Sequence, residues 1–192
     1  MKGSLPQHNY GFTLIETLVI VVIIGIVASL ALPAIDPARF RIESGITSIA
    51  SILQASQREA VTRQHDVRVG FDVANGFVLV HYDSDNNGVV DGGERRRSWP
   101  LEPELIFGLG PAPARPIGAA AVNFPTDAAG VPTVVFRRSG SASAAGGLYL
   151  TSRQAAAGLV KRRNDTRAIE ILRATGRVEW WRYTGDQWRR GF

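Results

Sequence analysis

Between Tyr82 and Arg95 the chain reads Asp83-Ser84-Asp85-Asn86-Asn87-Gly88-Val89-Val90-Asp91-Gly92-Gly93-Glu94. Oxygen donors fall at the first, third, fifth, seventh, ninth and twelfth places, the spacing D-x-D-x-N-G-x-x-D-x-x-E of a calcium-binding loop. Asp83, Asp85 and Asn87 would give side-chain oxygens, Val89 its carbonyl, Asp91 a direct or water-bridged contact, and Glu94 two oxygens. Gly88 allows the sharp turn, and calcium's flexible coordination suits such a set better than magnesium's strict octahedron. Asp, Asn and Gly are also ordinary residues of a solvated turn. A turn does not, however, require glutamate at the twelfth place. Calcium is the one cofactor that the sequence suggests.

A second group interleaves arginines with aromatics: Arg173, Arg177, Trp180, Trp181, Arg182, Tyr183, Trp188, Arg189 and Arg190. Such a pattern can neutralise phosphates and stack bases, which makes Arg173, Arg177 and Arg182 candidate DNA contacts. The competing reading is a strand whose tryptophans pack and whose arginines are solvated or meet a neighbouring subunit. The formal net charge is +5, and from Arg153 to Phe192 ten basic residues stand against four acidic ones. Of the 22 cations only Lys2 and Lys161 are lysines. Catalysis finds little support. His8, His65 and His81 lie in no H-E-x-x-H or G-x-S-x-G pattern, and the absence of cysteine excludes disulfides, thiolate metal sites and a thiol nucleophile. The chain is not expected to be an enzyme.

The elements that position these groups follow from hydrophobic periodicity. A composition 45 % apolar and 20 % charged is that of a folded protein. Phe12 to Leu32 is a mainly apolar run with one charge, Glu16, and as a helix would run about 31 Å, the thickness of a bilayer core. A carboxylate there costs about 2.5–3.5 kcal/mol, which marks Glu16 as functional. Beyond Pro33 the pattern becomes striped, with Ile42, Ile46, Ile49, Leu53 and Ala60 on one face of an amphipathic helix. Taken with the anchor, Phe12 to about Arg63 predicts roughly 75–80 Å of helix.

The remainder reads as β. Val67, Val69, Phe71 and Val73 alternate over Asp66–Val73, and Asn75-Gly76 offers a tight hairpin turn into Phe77–Tyr82. Further strands are expected at Arg95–Leu101, Ala120–Phe124, Thr133–Arg138, Gly147–Thr151, Arg167–Arg173 and Arg177–Tyr183, with loops at Gly108–Pro116 and Ser139–Gly147. The acidic loop therefore joins two strands, whereas an EF-hand loop joins two helices.

The polar leader MKGSLPQHNYG ends at Gly11, ahead of the apolar run. Gly11-Phe12-Thr13-Leu14-Ile15-Glu16 closely resembles the processing site of type IV prepilins, and Pro33 sits where that family carries a helix-kinking proline. The resemblance implies cleavage between Gly11 and Phe12 by a prepilin peptidase and N-methylation of Phe12. The new amine would lie one helical turn from Glu16. Glu16 either offsets its own helix N-terminus or meets the Phe12 amine of a neighbouring subunit during assembly, and the resemblance favours the second. Residues 134–140 (VVFRRSG), Ala168–Leu172 and Thr175-Gly176-Arg177 make the remainder resemble FimT/GspH-type minor pilins. Some of these are linked with DNA uptake through Gly-Arg-x-Arg, but here Gly176-Arg177-Val178-Glu179 places a carboxylate at the second arginine.

The resulting expectation is an α+β pilin lollipop, a long N-terminal helix packed on an antiparallel sheet head. Its parts are a leader (1–11), a transmembrane and filament-core segment (12–35), an amphipathic helix (36–65) and a β-rich head (66–192). The function implied is that of a minor pseudopilin of a type II secretion system or related type IV pilus. Implied partners are other pilin or pseudopilin subunits, the inner-membrane assembly platform, prepilin peptidase and the membrane. The location implied is a single pass of the bacterial inner membrane, with the head in the periplasm or on an assembled filament. A DNA-binding minor pilin for natural transformation is the less favoured alternative, and a membrane-anchored enzyme a more distant one.

Overall fold

The computed structural model describes residues 12–31 and 37–191. The chain divides into two compact units, Met1–Pro37 and Ala38–Phe192. The first contains helix α1, Leu14–Ala31, and the second begins in helix α2, Pro37–Arg63. The leader, Pro33 and the expected continuity from Phe12 to Arg63 fall wholly or partly outside the described residues.

α2 follows its stripe. Ile42, Ile46, Ile49, Leu53 and Ala60 are buried, with Ala50 and Ser56 beside them. Ser56 Oγ satisfies itself on the Ile52 carbonyl at 2.8 Å. Gly45 brings the helix backbone close to the sheet, because a side chain there would strike Leu105 and Leu150.

Among the described residues the head holds ten strands: β1 Asp66–Asp72, β2 Phe77–Asp83, β3 Arg96–Pro100, β4 Leu105–Phe107, β5 Val122–Asn123, β6 Thr133–Phe136, β7 Gly146–Ser152, β8 Thr166–Ile171, β9 Val178–Tyr183 and β10 Trp188–Arg190. They form two antiparallel sheets, one ordered β3-β2-β1-β6 and the other β10-β9-β8-β7-β4, with β5 also pairing with β7. A short helix α3, Arg153–Ala156, is capped by Ser152 Oγ accepting from the Ala155 amide at 3.1 Å.

The inward faces of both sheets and the α2 stripe share one core. Phe71 ties the sheets together, stacked on Phe124 at 5.7 Å and edge-on to Phe107 at 5.9 Å. This is the expected α+β fold, a helix packed on antiparallel sheets.

Three expectations need correction. Val73 is not the end of the alternation, and the hairpin turn is not a two-residue one. Asp72 pairs with Phe77, so Val73–Gly76 is a four-residue turn and Val73 is exposed. Asp72 draws the chain round by accepting from the Asn75 amide at 3.0 Å, and Gly76 takes φ +71°. The strand expected over Arg167–Arg173 ends at Ile171, and Leu172 is exposed at the turn.

Candidate functional site

At the start of α1, the Thr13 hydroxyl accepts from the Glu16 amide at 3.3 Å, and Glu16 Oε2 accepts from the Thr13 amide at 3.4 Å. This reciprocal pair is a capping box. Thr13-x-x-Glu16 is its sequence signature, a signal that the reading of Glu16 overlooked. The structure thus shows Glu16 serving its own helix terminus through two long contacts. Gly11, the other half of the expected cleavage site, lies outside the described residues; Phe12 is 75 % exposed.

The large apolar side chains of α1 are exposed, from Ile20 at 43 % to Leu14 at 83 %. The helix has 18 residues, about 27 Å against a bilayer core of about 30 Å. Among the described residues no helix is long and apolar enough to cross a membrane.

The acidic loop begins on the rigid end of β2, where Asp83 is buried. Asp83 accepts from the Asn87 amide at 3.0 Å and the Gly88 amide at 2.9 Å, turning the chain over itself. Glu94 closes the loop. Its Oε1 accepts from the Ser84 amide at 2.7 Å and its Oε2 from the Asp91 amide at 3.2 Å. Carboxylate oxygens of Asp83, Asp85 and Glu94 lie within 4.8 Å of one another.

Asn87 joins Asp85 to Asp91 by donating to both, at 2.9 and 2.7 Å, and its own oxygen accepts from the Val89 amide at 2.6 Å. Val89 itself is exposed. The structure therefore gathers three of the six expected ligands directly and links two more by hydrogen bonds.

Burial would raise the pKa of Glu94, but the amides of Asp91 and Ser84, together with His81, outweigh it and hold that pKa below the usual glutamate value. His81 Nε2 pairs with Glu94 Oε2 at 2.5 Å. Among the described residues the other ring nitrogen of this buried histidine, Nδ1, has no hydrogen-bond partner.

The expected DNA contacts are not collected into one free stripe. Arg177 pairs with Glu179 at 2.9 Å, and Arg190 shares the same carboxylate at 2.8 Å. Arg173 is exposed at the other end of the β8–β9 turn. Arg182 is half-buried at the far end of β9, in register with Arg167.

Arg167 is fully buried and donates through Nε to Glu43 on α2 at 2.9 Å. Burial pulls its pKa below that of a free arginine, and Glu43 opposes the pull. On the outer face, Arg115 stacks 3.8 Å over Trp181 and pairs with Glu170 at 2.6 Å. The Arg115 amide donates to the Tyr149 hydroxyl at 2.7 Å and Trp188 Nε1 to the Pro113 carbonyl at 3.0 Å, so this aromatic cluster fastens the proline-rich loop.

A family model described as type II transport protein GspH matches residues 46–175, more than half of the chain. The chain belongs to the GspH family. The prokaryotic N-terminal methylation motif matches residues 6–32 of this GspH-type chain. Pilin-like protein PilA1 of Thermus thermophilus is 30 % identical over 131 residues, 58 % of this chain and 84 % of that protein. Among solved structures, the minor pseudopilin EpsH from the type 2 secretion system of Vibrio cholerae is similar with a TM-score of 0.48 at 13 % identity, over 77 % of this chain and 99 % of that one. Family and motif together make this GspH-type chain a pilin-like minor pseudopilin, a subunit that assembles with other pilin subunits at the cell envelope. Neither Arg115 nor Arg167 was singled out for these contacts, because the partners that define them, Glu170 and Glu43, are 55 and 124 positions away.

Proposed function

We propose that the chain is made as a precursor, held by one pass of the bacterial inner membrane, and drawn through α1 into a type II secretion pseudopilus. The observation that carries this reading is the exposure of α1. A helix apolar on all sides has to be covered by lipid or by other helices. Cleavage by prepilin peptidase between Gly11 and Phe12, with N-methylation of Phe12, leaves an amine one turn from Glu16. One long hydrogen bond from the Thr13 amide, at 3.4 Å, holds that carboxylate weakly. On entry from the assembly platform it would exchange that bond for the Phe12 amine of a neighbouring subunit. The reading needs no catalytic group.

Intact mass decides the first step. Mature protein should begin at Phe12, and a mass that retains Met1–Gly11 in a peptidase-competent cell would end the processing proposal. Glu16→Ala should insert normally yet be missing from recovered assemblies; normal incorporation would return Glu16 to its capping role.

In the same reading Asp83–Glu94 holds calcium, supported by the convergence of three carboxylates from hard-donor positions. Loops of this type in extracellular modules bind at about 10⁻⁴–10⁻³ M. At about 10 mM calcium, a roughly tenfold excess over the weaker of these constants, binding adds about 1.4 kcal/mol and raises the melting temperature by a few degrees. Full-length protein in detergent, melted in EDTA and in millimolar calcium, gives the readout. Glu94→Ala should abolish the shift and Ser84→Ala should keep it; identical melting with and without calcium would reduce the loop to a turn. The pH dependence has a fixed sign. A carboxylate whose pKa is depressed on folding adds stability above about pH 4.3, and that stability is lost as pH falls through the folded value. Glu94→Gln should therefore flatten the acid limb of the stability curve.

A further inference from the structure

On the outer face of the first sheet, strand register sets Arg68, His81 and Arg96 in one row across β1, β2 and β3. The adjacent row, Gly70, Leu79 and Ser98, is apolar at its centre and low in bulk. A Cβ at Gly70 would come within 3.3 Å of Thr133 and Val131, so the glycine keeps this floor deep. Between the Asp127–Val131 loop and Val90 of the acidic loop lies a groove of about 450 Å³, within the span of specific ligand sites.

Two arginines of the row, Arg68 and Arg96, line the groove, and among the described residues neither is paired with a carboxylate; Arg97, in register with buried Val80, belongs to the opposite face of the sheet. Arg68 donates to the Gly88 carbonyl at 2.5 Å and Arg96 to the Asp91 carbonyl at 2.7 Å. These bonds aim the guanidinium groups without neutralising them, and each keeps further N–H donors. The one carboxylate in the lining, Asp127, is taken up by the Ala129 and Val131 amides at 2.9 Å each. The outer face of the second sheet contrasts with this: Arg115, Arg177 and Arg190 are each matched by Glu170 or Glu179. β3 is also a sheet edge, so an extended chain finds open backbone beside the groove.

We propose that this groove docks an extended acidic segment of a neighbouring pilin-type subunit. Its carboxylates meet Arg68 and Arg96, and an apolar side chain between them rests on Gly70 and Leu79. That the bearer is a subunit rests on the assembly reading above; the chemistry of the groove does not.

The test uses full-length protein in detergent and a fluorescein-labelled peptide, Gly-Glu-Leu-Asp-Val-Glu-Gly, read by anisotropy. Binding should saturate, and it should weaken as salt shortens the screening length from about 10 Å to about 3 Å. The amide twin, Gly-Gln-Leu-Asn-Val-Gln-Gly, should bind at least about tenfold more weakly, a difference of about 1.4 kcal/mol. Arg68→Glu and, separately, Arg96→Glu should each lose a similar factor while melting normally, and Arg177→Glu should bind as the parent does. Equal affinity for both peptides, unchanged binding by the Arg68 and Arg96 variants, or displacement by inorganic phosphate as effective as by unlabelled acidic peptide would overturn the proposal. Variants that lose the peptide yet still enter assemblies would locate the failure in the assembly reading and leave the acid-binding groove intact.

Discussion

The two helices are built from similar apolar residues and end in opposite situations. In α1, isoleucines and valines run round the whole circumference and stay exposed. In α2 they are confined to one stripe, and Ile42, Ile46 and Leu53 lose all contact with solvent. The difference lies in distribution and not in hydrophobic content. A stripe can be satisfied by the chain's own sheets, whereas a fully apolar cylinder can be satisfied only by something outside the chain. The carboxylates repeat the contrast: Glu43 on α2 is claimed by Arg167, while Glu16 on α1 holds only its own cap.

The comparison can be broken by substitution. Ile46→Ala should be the most damaging change, costing about 2–5 kcal/mol as a cavity opens in the shared core. Each kcal/mol should lower the melting temperature of the head by about 2–4 °C. Glu43→Gln should follow, because it leaves the Arg167 guanidinium buried without its counter-charge; Glu43 is itself 38 % exposed, and removing one partner of a more deeply buried pair costs about 3–5 kcal/mol, so a loss of about 2–3 kcal/mol is expected. Glu59→Gln should be milder, below about 1 kcal/mol, since its partners Arg63 and Arg95 are solvated. Val22→Ala in α1 should move the unfolding of the head by less than about 0.5 kcal/mol. A Val22→Ala effect as large as that of Ile46→Ala, in denaturant titration, would mean that the helices do not differ in the way described.

Much of this was legible in the sequence because it is periodic. The α2 stripe and the alternation in β1 each declare a buried face, and the acidic loop declares its spacing. What escaped notice was short or long-range. Leu105–Phe107 is a three-residue strand wedged between Pro103 and Gly108, too brief for alternation to show. Trp188–Arg190 read only as part of a basic tail, because its strand character comes from pairing with β9. Val73 continued the apolar alternation on paper, but Asp72 had already turned the backbone. The groove had no linear signature. Arg68, His81 and Arg96 belong to three strands, and only the register places them in one row.

The length over which α2 is embedded has a mechanical consequence. Its buried side chains run from Ile42 to Ala60, about 27 Å of helix, with Glu43 riveted to Arg167 near the N-terminal end. A pull applied to that end along the helix axis would shear these contacts together instead of peeling them one by one. Resistance of that kind is set by the barrier to unfolding and not by equilibrium stability. The head is thus fastened so that tension entering through its helix meets the whole core at once, which suits a subunit attached by one end.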